Sequence, residues 1–218
     1  DLHSFPTRRS SDLWSSLEAG APENSVACLK TLSMEATDEL MHNEFVKLII
    51  ATGGPGMVKA AYSAGKPAIG VGAGNSPAYI ERTADVKSAV EKIMASKTFD
   101  NGTVCASEQS IICEHVNEER VIAELETQGA YFMSEEETTK VCSLLFKNGH
   151  TMNAKFVAKK PDVIAAAAGI DIPAGTGLLV GRQKGVGEGN PLSFEKLTTV
   201  IADRKSTRLN SSHLELSR

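Results

Sequence analysis

The stretch VKLIIATGGPGMVKAAYSAGKPAIGVGAGN, residues 46–75, decides the fold class. Its first six residues, VKLIIA, are a short apolar run stopped by Thr52-Gly53-Gly54, the pattern of a buried strand entering a tight turn. Pro55 follows where a helix tolerates proline best, at its first position. Met57, Val58, Ala61 and Tyr62 recur at helical spacing, and Gly65 is placed to end the helix. Residues 67–71, PAIGV, form a second short apolar run before Gly72-Ala73-Gly74-Asn75. Two strands joined through one helix predict parallel pairing, since parallel strands need a crossover connection.

Outward from this unit, apolar runs and helical patterns keep alternating. Asp85 caps an expected helix whose apolar face is Val86, Ala89, Val90, Ile93 and Met94. Phe99-Asp100-Asn101-Gly102 reads as a turn, and residues 110–114 as a strand. Further helices are expected over 117–128, 135–146 and 161–168, the second opened by three acids that suit a helix N-terminus. Residues 178–180 complete the pattern as a strand. The expected class is α/β.

The two ends differ from this body. Residues 1–13 and 203–218 are rich in Ser, Arg and Thr, carry little apolar periodicity, and resemble translated sequencing-adapter DNA. They are expected to be non-native or disordered tails and are set apart from fold reasoning. The chain of 218 residues carries 23 Lys+Arg and 27 Asp+Glu, and the body without its ends is more acidic still. No basic surplus points to nucleic acid, and no apolar run approaches a membrane span. Four cysteines without CxxC or zinc spacing suit a reducing, cytoplasmic setting and no metal.

Among them, Cys105 in FDNGTVCASEQS stands apart, at a loop-to-strand junction beside Gly102. A nucleophilic thiolate needs partial exposure and nearby donors. Cys28, Cys113 and Cys142 lie in apolar or helical patterns and read as small buried hydrophobes. The glycines at 53–54 allow close backbone approach to a ligand, or only a tight strand-to-helix turn. Those at 70–74 admit a ligand or another chain segment, or act as a hinge. His42, His115 and His150 read as surface or capping residues.

Three segments together, ATGGPGMVKAAYSAGKPAIGVGAGN, SKTFDNGTVCASEQS and SFEKL, resemble the CoA-acylating aldehyde dehydrogenases, and in particular the aldehyde dehydrogenase module of the bifunctional acetaldehyde–alcohol dehydrogenases. The resemblance implies an aldehyde dehydrogenase-like fold of two Rossmann-like lobes, both partial: a cofactor-binding lobe over 14–82 and a catalytic lobe over 83–202. It implies that Cys105 attacks the aldehyde carbonyl. Thr52, Gly53 and Gly54 would pack against the nicotinamide end of NAD, and Glu195 would bind the nicotinamide ribose. After Glu195 the family pattern has a proline where this chain has Thr199. Hydrolytic members carry a glutamate base at the lobe junction, where this chain has Gly70-Val71-Gly72-Ala73-Gly74. The implied reaction is oxidation of a short-chain aldehyde such as acetaldehyde to acyl-CoA, and its reverse, with coenzyme A as co-substrate and a homo-oligomer when full length. Two alternatives stay open: a non-catalytic fragment serving assembly, and a glutamyl-phosphate reductase-like enzyme.

Overall fold

The computed structural model describes residues 15, 18–22, 25–27, 29 and 31–206. It separates into two compact units, 1–72 and 73–218. The sequence reading places the boundary after residue 82. The structure places it earlier because residues 76–80 form a strand of the second unit's sheet.

The first unit contains helix α1 (Met34–His42), strand β1 (Ile49–Thr52), helix α2 (Pro55–Ser63) and strand β2 (Ala68–Val71). Ser33 caps α1 by accepting from the Ala36 N–H. Strands β1 and β2 pair in parallel, Ile49 opposite Ala68 and Thr52 opposite Val71, as the crossover pattern requires. Ile49 and Ala51 turn inward to pack with Ala61 and Ala64 of the helical segment. Gly70 lets α2 sit close, since a Cβ there would lie 2.5 Å from Val58 Cγ1 and 2.9 Å from Tyr62 Cε2.

The second unit is built on a five-stranded, wholly parallel sheet ordered β3-β4-β9-β8-β5. Its strands are β3 (Ser76–Ile80), β4 (Glu108–Glu114), β5 (Ala130–Met133), β8 (Leu178–Arg182) and β9 (Val200–Ser206). A short hairpin, β6 (Phe146–Lys147) with β7 (Thr151–Met152), stands outside it. Helices α3 (Val86–Thr98) and α4 (Glu118–Thr127) cover one face, and α5 (Glu135–Leu145) and α6 (Pro161–Ala168) the other.

Strand alternation sorts the core between those faces. Ile111, Cys113, Leu178, Val180 and Ile201 pack with Val90, Ile93, Val121 and Leu125 of α3 and α4. Leu179, Val200 and Ala202 pack instead with Val141, Leu145, Ile164 and Ala165 of α5 and α6. The helix ends follow local rules. Asp85 accepts from the Ser88 N–H, Ser134 and Glu137 form a reciprocal capping box, and Gly169 ends α6 in the left-handed conformation.

Strand β9 runs through Ser206, so residues 203–206 belong to the sheet and not to the tail that composition sets apart. Both its neighbours hold it there: Asp203 is opposite Ile111 of β4 and Arg182 of β8. Residues 1–13 and 207–218 lie outside the described residues. No helix among the described residues is long and apolar enough to cross a membrane.

Leu178 is fully buried beneath α3 and α4. Leu178→Ala is expected to lower the stability of the second unit by about 2–5 kcal/mol, read as a reduced urea midpoint with an unchanged slope.

Candidate active site

Helix α3 ends at Thr98, and the chain reverses through Phe99–Gly102. Asp100, Asn101 and Gly102 take positive φ angles of 49°, 51° and 78°. Asp and Asn tolerate this region better than other side chains, and glycine enters it freely. Gly102 is needed for space as well, because a Cβ there would lie 2.4 Å from the Thr198 carbonyl oxygen. The next turn closes when the Ser107 N–H donates to the Val104 carbonyl at 2.9 Å. Cys105 lies in this turn, exposed, three residues before β4 begins.

The other described cysteines are buried, as their patterns predict. Burial pushes the Cys142 thiol up to about 11, and Cys113 lies in the core of β4. Cys28 lies outside the described residues. His42 is exposed near Asp38, and the exposed His115 places Nδ1 3.0 Å from Oε2 of the buried Glu118.

Glu195 is brought to the same place from far along the chain. It lies between a turn at Pro191–Ser193 and β9. Its Oε1 accepts from the Gly74 N–H at 2.8 Å. Gly74 also faces Cys105, since a Cβ at position 74 would sit 2.5 Å from the Cys105 carbonyl oxygen and 3.5 Å from Glu195 Oε1. The small residue thus admits another chain segment, one of the readings its sequence left open. Asn75 adds a bond from Nδ2 to the Ser193 carbonyl at 2.6 Å.

The Glu195 segment is tied down on its other sides. Gln109 Oε1 accepts from the Lys196 N–H at 2.7 Å. Thr198 and Thr199 both donate through Oγ1 to the Lys159 carbonyl, at 2.9 and 3.0 Å. Thr199, where the family pattern has proline, therefore anchors this segment through a hydroxyl that proline lacks.

Two lysines lie wholly inside this framework, each 0% exposed. Lys196 Nζ donates to the Leu192 and Phe194 carbonyls at 2.6 and 2.8 Å. Burial, then the Lys97 ammonium, pushes Lys196 well below the usual lysine range. Lys97 Nζ donates to the Lys196 carbonyl at 2.8 Å and lies 3.5 Å from Ser107 Oγ. Its burial lowers it to about 8, against opposing attraction from Glu108 and Glu195. A lysine depressed in this way costs stability while it is protonated. That cost is present below about pH 8 and is relieved as pH rises from there toward the ordinary 10.5. Sequence reading passes over both lysines, although position 97 continues the inward spacing of Val90, Ile93 and Met94.

Thr52, Gly53 and Gly54 sit in the first unit, where β1 turns into α2. The Gly53 N–H donates to the Val71 carbonyl at 3.1 Å. Gly54 is the N-cap of α2 without a side-chain cap, and nothing lies within 4 Å of where its Cβ would be. The structure thus brings Cys105 and Glu195 together within the second unit and places the other three residues on a glycine turn of the first.

An exposed cysteine on a pinned turn, beside a carboxylate held by a backbone amide, defines a thiol-bearing parallel α/β protein. The aldehyde dehydrogenase family profile matches residues 15–161, and the chain belongs to that family. It is 47% identical over 198 residues to the aldehyde-alcohol dehydrogenase of Streptococcus pneumoniae, covering 87% of this chain and 22% of that protein. The crystal structure of an acetylating aldehyde dehydrogenase from Geobacillus thermoglucosidasius superposes with a TM-score of 0.86 at 47% identity, covering 94% of this chain and 45% of that one. A Rhodopseudomonas palustris propionaldehyde dehydrogenase with bound propionyl-CoA superposes at 0.78 with 27% identity, covering 92% of this chain and 44% of that one. The chain thus spans under half the length of these solved relatives and about a fifth of the curated one.

Gly102→Ala tests how tightly the Cys105 turn is held. Left-handed strain of about 1–2 kcal/mol adds to the clash with the Thr198 carbonyl. The expected result is a second unit destabilised by about 2 kcal/mol or more, with faster amide exchange in residues 103–107.

Proposed function

We propose that this chain carries the nucleophile of an NAD-dependent, CoA-acylating aldehyde dehydrogenase that converts a short-chain aldehyde, acetaldehyde in the first instance, to acyl-CoA and runs the reverse reaction. The observation that carries the reading is the convergence of Cys105 and Glu195 on Gly74, in a segment whose residues 70–74 hold no carboxylate. Family membership and the similarity to acetylating enzymes support it.

In this reading the Cys105 thiolate adds to the aldehyde carbon and gives a hemithioacetal bound through sulfur. NAD, when bound, would supply the acceptor for hydride from that carbon, and the acyl group would remain on Cys105 as a thioester. Gly53 and Gly54, at the uncapped start of α2, are suited to close approach of NAD, as is Glu195, whose Oε2 accepts no hydrogen bond from the described residues. The thiolate of coenzyme A then attacks the acyl carbon, acyl-CoA leaves, and the Cys105 thiolate is regenerated. Water would need a positioned base for that last step, whereas a thiolate is itself a good nucleophile. The enzyme would work as a cytoplasmic homo-oligomer of full-length subunits on small aldehydes and CoA.

In an enzyme of full family length containing this segment, Cys105→Ser is expected to abolish CoA-dependent NADH formation from acetaldehyde. Omission of CoA should give one burst of NADH that stalls until CoA is added, because base catalysis worth about 10²–10⁴-fold is missing for water. Undiminished steady NADH formation without CoA, with free acid as product, would overturn the thiolysis reading and direct attention to Glu108.

A further inference from the structure

We propose that Lys97 is a positioning residue for the acyl-transfer step, its ammonium joining the turn that carries Cys105 to the segment that carries Glu195. The inference rests on the reading of Cys105 as nucleophile. It goes beyond that reading by giving a role to a residue remote in sequence from Glu195 and wholly buried.

The geometry is specific. Lys97 is in the last turn of α3, at a position whose neighbours on the same face, Val90, Ile93 and Met94, are core residues. An apolar side chain there would fill the same space without burying a charge. Instead the ammonium donates to the carbonyl of Lys196, the residue next to Glu195, at 2.8 Å. On its other side lies Ser107 Oγ at 3.5 Å, two residues beyond Cys105. The Lys97 carbonyl lies 3.1 Å from where a Cβ of Gly102 would be, so the same residue borders the start of the Cys105 loop.

The charged groups around it come from two other elements. Glu108 opens β4, and its Oε2 is buried with no hydrogen-bond partner among the described residues. Glu195 and Lys196 belong to the segment before β9. Both carboxylates attract the Lys97 ammonium, while Lys196 feels it as a like charge. The Lys97 ammonium is therefore attracted by one carboxylate from each of the two segments it joins. Burial lowers Lys97 to about 8, so its charge is present at neutral pH and the bridge weakens to that of a neutral amine as the medium turns alkaline.

Lys97→Met keeps length and volume and removes the charge. In this chain, amide exchange of residues 103–107 and of Gly74, corrected for the intrinsic rate, is expected to accelerate about tenfold between pH 7 and pH 9. In Lys97→Met it should be fast at both pH values, with the core amides of Val90 and Leu125 unchanged. In an enzyme of full family length, kcat for acyl transfer should show an alkaline limb near pH 8 that Lys97→Met lacks. The variant should have a kcat several-fold lower at pH 7 and an unchanged KM for CoA. Matching exchange and kcat profiles in wild type and Lys97→Met would overturn the proposal. If Lys97→Met does not fold, Ser107→Ala removes only the contact on the Cys105 side. It should accelerate exchange in 103–107 at pH 7 and reduce the alkaline limb, and unchanged exchange would count against the bridge. Turnover surviving Cys105→Ser would remove the nucleophile reading and leave the exchange result standing, so the two failures are distinguishable.

Discussion

The close approach of two backbones at Gly74 is the constraint on which the candidate site depends. The Cys105 carbonyl packs against the bare Cα of Gly74, and the Gly74 N–H is held by Glu195. A hydrogen bond to a carboxylate is among the stronger kinds available to a backbone amide. Because the same residue touches one segment and bonds the other, neither moves without disturbing the other. The proposed nucleophile and the proposed ribose ligand are thereby set in one frame by the Gly74 main chain, through a backbone contact to Cys105 and a side-chain hydrogen bond to Glu195.

The sheet supplies the rigidity behind that frame. Cys105 precedes β4 by three residues and Glu195 precedes β9 by five, and these two strands are hydrogen-bonded neighbours. Lys97 and Gln109 each bond to the backbone of Lys196, so buried polar groups continue the pairing of β4 and β9 into the loops before them. Buried polar groups of this kind cost stability unless they are paired. Here they join the segments that the proposed chemistry requires together.

Much of this was legible in the sequence, and what was not has physical reasons. The strand–helix–strand unit around Gly53-Gly54 follows from two apolar runs, a proline at the helix start and helical spacing between them. Strand β3 escapes such reading because Pro77 sits in an edge strand, where one side needs no ladder bond. Strand β5 is four residues long between two helices, and β9 runs from an apolar start into Asp203 and Arg204, so neither shows clean alternation. Cys105 stood out by its turn, and Glu195 only by family resemblance. Nothing local announces the bond from Glu195 to Gly74, which spans 121 residues. The inward lysine at 97 was visible only as a helical spacing that polarity argued against.

The most direct test of the account is the rate at which acetyl-CoA acylates Cys105 in the Gly74→Ala variant of an enzyme of full family length, followed by intact mass. The added methyl would fall 2.5 Å from the Cys105 carbonyl and 3.5 Å from Glu195 Oε1. The account predicts acylation slowed about tenfold or more in a protein that still folds, with a lowered melting temperature because the methyl meets a backbone oxygen that must shift. Acylation at the wild-type rate in a folded Gly74→Ala protein would contradict the claim that this backbone contact sets the site.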